Sequence, residues 1–448
     1  MPHNHATRRN VLRTIGAAGV SLSFAGLASA SDGQARYVAK TTGDATASIE
    51  AAGFEVLAEL AEGEVVLAAG PADATDELAA VSGVSTAVPD FEVELGGPVS
   101  VDADVRNVAE GSTATVGAED VYDEYLWDKQ RQEVREAHEY ATGAGRTVAV
   151  LDTGVDPDHP DLDVDTDRSV VITGGRPEPD VGDSGFHGTH VAGIIAGTGD
   201  VAMVGTAPDA TIVSVRILGP ETGTWGDILA GMEYAAEIGA DAANMSIGTV
   251  PIPPQGHRDG YNRLLQAVTN TVTRDGTLLV GSAGNDDANL QQEGDFTLPN
   301  SLSGVLSVSA TTPTDLKTYY SNYGTNEIGV GAPGGGYETA EKTVEADDVD
   351  YPWPLNAVFS TVPDTGLVPE PYQDTTIDGT PYAWLMGTSM AAPQVSGLAA
   401  LVREREPSAS TNRVESAIAH GAESTNGRGD RELGAGRINA LQTVDYVE

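Results

Sequence analysis

Residues 387–393 read Gly387-Thr388-Ser389-Met390-Ala391-Ala392-Pro393, and the apolar spacing at Val395, Leu398, Leu401 and Val402 predicts a helix continuing to Arg405. Extended residues run into this stretch, so Ser389 is expected at the helix start. There the unpaired backbone N–H groups and the positive end of the helix dipole favour a negative oxygen, which is what an attacked carbonyl becomes. A serine in this place ordinarily caps the helix. Only the rest of the chain can give it chemistry.

Upstream, apolar strand-like runs alternate with helical stretches from Thr147 to Ala332. The alternation predicts an α/β class: a largely parallel β-sheet with helices on both faces, whose active site lies at the strand carboxyl ends. Three polar residues stand at such ends. Asp152 closes Val148-Ala149-Val150-Leu151; His187 opens the helix-like run His187-Gly188-Thr189-His190-Val191-Ala192-Gly193; Asn285 follows Leu279-Val280-Gly281-Ser282-Ala283-Gly284. Each alone reads as a turn or cap residue. With Ser389 they supply a set for acyl transfer. A serine hydroxyl needs an imidazole to take its proton, the imidazole needs a carboxylate to fix its tautomer, and an amide donor can hold the oxyanion.

The remaining chain sets limits. It has 448 residues, with 67 acidic against 24 basic, a net charge of −43, four lysines (Lys40, Lys129, Lys317, Lys342) and no cysteine. Disulfides, thiolate catalysis and cysteine-ligated metal are excluded. Nucleic acid is not expected as a partner, because the basic footprint is missing. Acid spread over the whole length matches the solvated surface of a protein from concentrated salt.

Residues 1–30 read as an address: Thr7-Arg8-Arg9-Asn10-Val11-Leu12-Arg13, an apolar stretch from Ile15 to Leu27, then Ala28-Ser29-Ala30. This resembles a twin-arginine signal with an A-x-A cleavage site, although Val11 stands where that pattern prefers Phe. The expected product is secreted and extracellular, with no stable membrane insertion; an uncleaved N-terminal anchor is the alternative. Residues 35–95 follow a strand, helix, strand, strand, helix, strand order, predicting a small α+β ferredoxin-like unit. Residues 96–120 read as an acidic exposed linker, and 121–448 as the main domain.

Asp152-Thr153-Gly154-Val155-Asp156, His187 to Gly193 and Gly387 to Pro393 together resemble the three signature blocks of the subtilisin-like serine proteases (the subtilase family), in that family's order. The acidic surface is similar to its secreted halophilic archaeal (halolysin-like) members. The resemblance implies a serine endopeptidase of broad specificity working through an acyl-enzyme, with polypeptide substrates. Ser389 would be nucleophile, His187 base and then acid, Asp152 its orienting partner, and Asn285 with the Ser389 N–H the oxyanion donors. His190 matches a structural position.

The resemblance further implies a cleft lined by Ser246, Ile247, Gly248, Ser282, Ala283 and Gly284, with Thr297 near the pocket floor and Glu221 to Gly223 as the opposite rim. No carboxylate stands at that floor, so medium to large uncharged side chains are expected to fit. Asp161 and Asp200 would belong to a structural Ca2+ site, with no cofactor for catalysis. Residues 35–95 would be an inhibitory pro-domain, an intramolecular partner removed by self-cleavage between Gly96 and Leu126, and the enzyme a monomer. Between Gly334 and Ala383 the chain reads as a surface insertion. An α/β-hydrolase is disfavoured by the absence of a G-x-S-x-G elbow and by the residue order; a catalytically dead binding protein is disfavoured because all four chemical positions are filled.

Overall fold

The computed structural model describes residues 22–27, 29–31, 33–95, 120–219, 223–249, 261–293, 297–325, 327–364, 368, 373–424 and 429–447. Eight strands make the central sheet: β1 (Thr147–Asp152), β2 (Val170–Thr173), β3 (Arg176–Pro179), β4 (Thr211–Arg216), β5 (Ala242–Met245), β6 (Leu278–Ser282), β7 (Val305–Thr311) and β8 (Val330–Pro333). Their spatial order is β3-β2-β4-β1-β5-β6-β7-β8, parallel except for the β2–β3 hairpin at one edge.

The expected parallel sheet is present, and its strands are apolar on both sides because both faces are covered. Along β1, Val148 and Val150 enter one core while Ala149 and Leu151 enter the other. Helices α1 (His187–Ala196) and α4 (Thr388–Arg405) contribute Val191, Ile195, Val395 and Leu398 to the first. Helices α2 (Trp225–Glu237) and α3 (Tyr261–Arg274) contribute Ile228, Leu229, Leu264 and Val268 to the second. Strand order reverses at β1, so the crevice at its carboxyl end is where a doubly wound sheet places its ligand. Asp152 is the last residue of β1.

The N-terminal unit has the ferredoxin-like order: Val84–Pro89, Gln34–Thr41, Val65–Pro71 and Glu55–Leu60 lie side by side, all antiparallel, with helices Thr46–Ala51 and Thr75–Ala79. Its sheet packs on α2 and α3 through Val38, Leu60, Val65 and Leu67. The single strand expected over Val84 to Val93 breaks at Asp90, and Phe91–Leu95 leaves to pair antiparallel with Gly223–Thr224 beside the start of α2. Within the segment read as an export signal, Leu22–Leu27 pairs with Phe91–Leu95 and Ser29–Ser31 with the first strand of the unit. The twin arginines, linker residues 96–119 and the rim residues Glu221 and Thr222 lie outside the described residues. No helix among the described residues is long and apolar enough to cross a membrane.

One expectation is corrected. The segment from Gly334 to Ala383 is not a surface insertion throughout. Val358–Thr361 is buried and pairs antiparallel with Thr380–Leu385, which in turn pairs with Gln373–Ile377. Phe359 stacks on Tyr382, with ring centroids 5.1 Å apart, and both belong to the first core with Trp384. Ser360 and Thr361 donate to the α1 carbonyls of His190 and Thr189 at 2.7 Å. This approach is close enough that a Cβ on Gly193 would lie 2.4 Å from both hydroxyl oxygens. The surrounding acids and prolines hid two short apolar strands.

Candidate active site

Helix α1 begins at His187, but its N-cap Phe186 makes no side-chain cap. Asp183 supplies the cap instead: its carboxylate accepts from the Thr189 N–H (2.9 Å) and hydroxyl (2.6 Å), the Gly185 N–H (2.8 Å) and the Thr153 hydroxyl (2.7 Å). Burial pushes this carboxyl above the usual carboxylate range, while those four donors pull it down. Thr153 in turn accepts from the Gly188 N–H at 3.1 Å and donates its own N–H to Asp152 Oδ1 at 2.8 Å. The loops following Asp152 and leading into α1 are thus tied to each other through one half-buried carboxylate. Nothing in the sequence pattern singled out Asp183, although an acid just ahead of a helix start is a cap signal.

His187 Nδ1 lies 2.8 and 2.9 Å from the two Asp152 carboxylate oxygens. Facing a carboxylate, Nδ1 carries the proton and Nε2 a lone pair. That Nε2 is buried and makes no hydrogen bond. His190 is fully buried, donates from Nε2 to the Ala383 carbonyl at 3.2 Å, and burial pushes its pKa down to about 3. It stays neutral and structural.

Ser389 sits in the first turn of α4. Its hydroxyl donates to the Ser246 carbonyl at 3.1 Å rather than to His187. Position 393 shapes this arrangement. Pro393 has no N–H to offer the Ser389 carbonyl one turn back, and the Ser246 hydroxyl takes that carbonyl at 2.7 Å. Asn244 donates to Ser246 Oγ (2.9 Å) and accepts from Ser396 (2.9 Å), so β5 is stitched to the catalytic-helix candidate along its length. The β1–β5 register pairs Asn244 with Val150. β5 is thus the immediate sheet neighbour of β1. The Ser389 hydroxyl is held just past the end of β5, and the imidazole is held by the last residue of β1.

Asn285 lies just beyond β6. Its Oδ1 accepts from the Thr388 N–H (2.9 Å) and hydroxyl (3.0 Å), and Thr388 Oγ1 accepts from the Gly284 N–H (3.2 Å). With Oδ1 committed, the Nδ2 amino group is left to donate. Gly387, at φ 154°, has Asn285 Nδ2 3.6 Å from where a Cβ would stand, an ordinary contact distance.

The residues expected around the pocket are brought together. Gly248 and Leu298 flank Thr249, whose N–H donates to the Leu298 carbonyl (2.9 Å) and whose hydroxyl accepts from the Leu298 N–H (3.0 Å); Ser282 Oγ donates to the Ile247 carbonyl at 3.4 Å. Thr297 is buried, with a hydroxyl that has no partner. Asn300, which no sequence signal marked, is 3 % exposed and unpartnered at both ends of its amide, wedged between Gly248 and Gly281.

The two residues expected to hold calcium stand in different surroundings. Asp161 is buried and receives N–H donors on both carboxylate oxygens, whereas Asp200 is exposed. No group of three or more His, Asp or Glu that could hold a metal occurs among the described residues. Calcium takes oxygen lone pairs, so this donor set does not fit it, and no step is assigned to a metal.

Residues 143–436 match the family model described as "Subtilase family". The chain is 32% identical over 362 residues to M-protease of Shouchella clausii, covering 79% of this chain and 78% of that one. It is 32% identical over 318 residues to Subtilisin Savinase of Lederbergia lenta, covering 70% and 96%. The structure of fervidolysin from Fervidobacterium pennivorans superposes with a TM-score of 0.70 at 24% identity, over 95% of this chain and 63% of that one. At that identity the likeness speaks for the fold.

Proposed function

The chain belongs to the subtilase family and is a serine protease, and from that premise we propose a secreted endopeptidase, self-processed from a precursor and adapted to concentrated salt. The observation that carries the site assignment is the Asp152–His187 pair, with Nε2 unpartnered, beside the strand end that holds the Ser389 hydroxyl. Catalytic hydrogen bonds commonly form only once substrate is bound. The proposed reaction requires rotation about the Ser389 Cα–Cβ bond to bring its hydroxyl from the Ser246 carbonyl to Nε2.

His187 then takes the proton as Ser389 Oγ attacks the scissile carbonyl, and Asp152 stabilises the imidazolium. Asn285 Nδ2 and the Ser389 N–H receive the oxyanion. Protonated His187 gives the proton to the departing amine, and water activated by the same imidazole releases the acyl group. The uncharged residues Ile247, Gly248, Ser282, Ala283, Gly284 and Thr297 support a preference for medium to large uncharged side chains, with broad specificity.

The N-terminal unit is read as an intramolecular inhibitor. Its support is the tail Phe91–Leu95, which runs as an added strand along Gly223–Thr224, the pairing an extended substrate would use. Thr7 to Arg13 support twin-arginine export, and the net charge of −43 supports kinship with halophilic members. The maturation cut is assigned between Gly96 and Leu126, and the mature enzyme is read as a monomer.

Ser389→Ala should abolish both casein hydrolysis and removal of the N-terminal unit, and should prevent labelling by a fluorophosphonate that marks the parent chain. A purified variant that still matured and still cut casein would remove Ser389 from the chemistry. A parent chain that folds but resists the label would favour the dead-site binding protein.

A further inference from the structure

We propose that Asp161 is an internal anion that closes the loop after α1 without a metal ion, its carboxylate seated on three successive backbone N–H groups and locked by the Tyr382 hydroxyl. Asp161 is fully buried. Its Oδ1 accepts from Val201 N–H at 2.6 Å, and its Oδ2 accepts from Ala202 N–H at 3.0 Å, Met203 N–H at 2.8 Å and Tyr382 Oη–H at 2.6 Å. The Asp161 backbone carbonyl takes the Thr198 N–H at 2.9 Å.

The polarity of this arrangement decides what it can hold. Each carboxylate oxygen offers two lone-pair sites, so the three donors on Oδ2 fill it and Oδ1 has one site remaining. Successive N–H groups converging on one point form a nest for an anion, and here the anion belongs to the chain itself. A divalent cation in the same place would meet the positive ends of three N–H dipoles and an O–H. It would find one free lone pair where calcium takes six to eight oxygens. Turning the loop to present carbonyls would break all three N–H contacts.

The clamp joins the two elements that carry His187 and Ser389. The loop of residues 197–205 leaves the C-terminus of α1, while Tyr382 lies in Thr380–Leu385, which leads directly into Gly387 and α4. His159 strengthens the same join, with Nε2 3.2 Å from the Pro381 carbonyl and its ring edge-on to Tyr382 at 5.4 Å. Burial and the neighbouring carboxylate push the Tyr382 hydroxyl far above its ordinary range, so it remains a donor. The buried strand pair within residues 334–383 thus supplies the phenol that completes the clamp, where a cation would otherwise be needed.

Hydrogen exchange on the full chain carrying Ser389→Ala, which prevents self-digestion, tests this in molar NaCl with either excess EGTA or added CaCl2. The amides of Val201, Ala202 and Met203 should exchange equally slowly in both. Adding Tyr382→Phe, which keeps the ring in its packing, should speed them roughly 10- to 100-fold in both, the loss expected for one hydrogen bond to a charged acceptor. Asp161→Asn should speed them further. The proposal is overturned if protection disappears in EGTA and returns with calcium, or if the Tyr382→Phe chain exchanges at the parent rate. Because no readout is activity, its failure leaves the protease assignment standing.

Discussion

At Asn285 the geometry separates what a side chain holds from what it offers. Oδ1 is spent on Thr388, which fixes the amide plane, and Nδ2 is left facing the start of α4. Asn285→Ala should therefore leave substrate binding nearly unchanged and lower kcat roughly 10²- to 10³-fold, the loss known for removal of the corresponding donor in this family. Steady-state kinetics on a peptide anilide check it; a KM effect with kcat intact would place Asn285 in ground-state binding instead. The four candidate chemical residues could be picked out of the sequence as a set because each stands in a run of neighbours that chance does not assemble in that order. Asp183 and Thr153 were not, because their work is done through backbone N–H groups, which any sequence provides. Ser246 was named for the cleft, yet its hydroxyl is consumed by the carbonyl that Pro393 leaves free, a consequence visible only once β5 and α4 are side by side.

Between the N-terminal unit and α2 lies a contact of three charged groups. Arg36 forks onto Asp227 (3.1 and 3.0 Å), while its Nε lies 3.1 Å from Asp90 Oδ2 without hydrogen-bond alignment. Asp90 Oδ1 meanwhile accepts the Gly226 N–H at the α2 start. Burial drives the Asp90 carboxyl from 3.8 up to about 6, against the pull of Arg36, with Asp227 adding to the rise. A carboxyl with a higher pKa when docked than when free takes up a proton on docking, so acid favours the docked state. The gain grows as pH falls through about 6 and is complete below 3.8; above about 6 the buried charge carries its full cost. Release of the unit from the self-processed, active-site-inhibited complex should thus be slower near pH 5 than near pH 7.5, and Asp90→Asn should level the two. Size-exclusion chromatography at fixed salt reads this out, and equal or inverted release would remove Asp90 from control of docking. At this scale the elements of residues 35–95 were legible from period alone. The break at Asp90 was not, because an aspartate between two valine-bearing runs looks like any other residue on a strand's polar face until the helix it caps is in view.

Across the whole molecule, composition was the legible feature and sets the last expectation. With 24 cationic side chains against 67 acids, at least 43 carboxylates have no cation of their own. Spread over 17916 Å² of surface, that is one uncompensated charge per roughly 400 Å², a spacing of about 20 Å; the screening length is about 30 Å at 0.01 M salt and about 3 Å at 1 M. In dilute buffer each carboxylate therefore feels several neighbours, and in molar salt almost none. Self-repulsion of this kind opposes the compact state, so the unfolding midpoint of the full chain with Ser389→Ala should fall steadily as NaCl is dialysed away. NaCl and KCl at equal ionic strength should protect alike, because screening depends on ionic strength and not on a fitted site. Millimolar calcium should not substitute for either, since the buried carboxylate best placed to bind it is already closed by N–H groups and a phenol. Differential scanning calorimetry across the salt series decides between the two sources of stability. A midpoint independent of NaCl would mean that the acidic surface carries no structural cost, and a midpoint rescued by calcium alone would mean that a fitted cation site, not diffuse screening, holds this fold together.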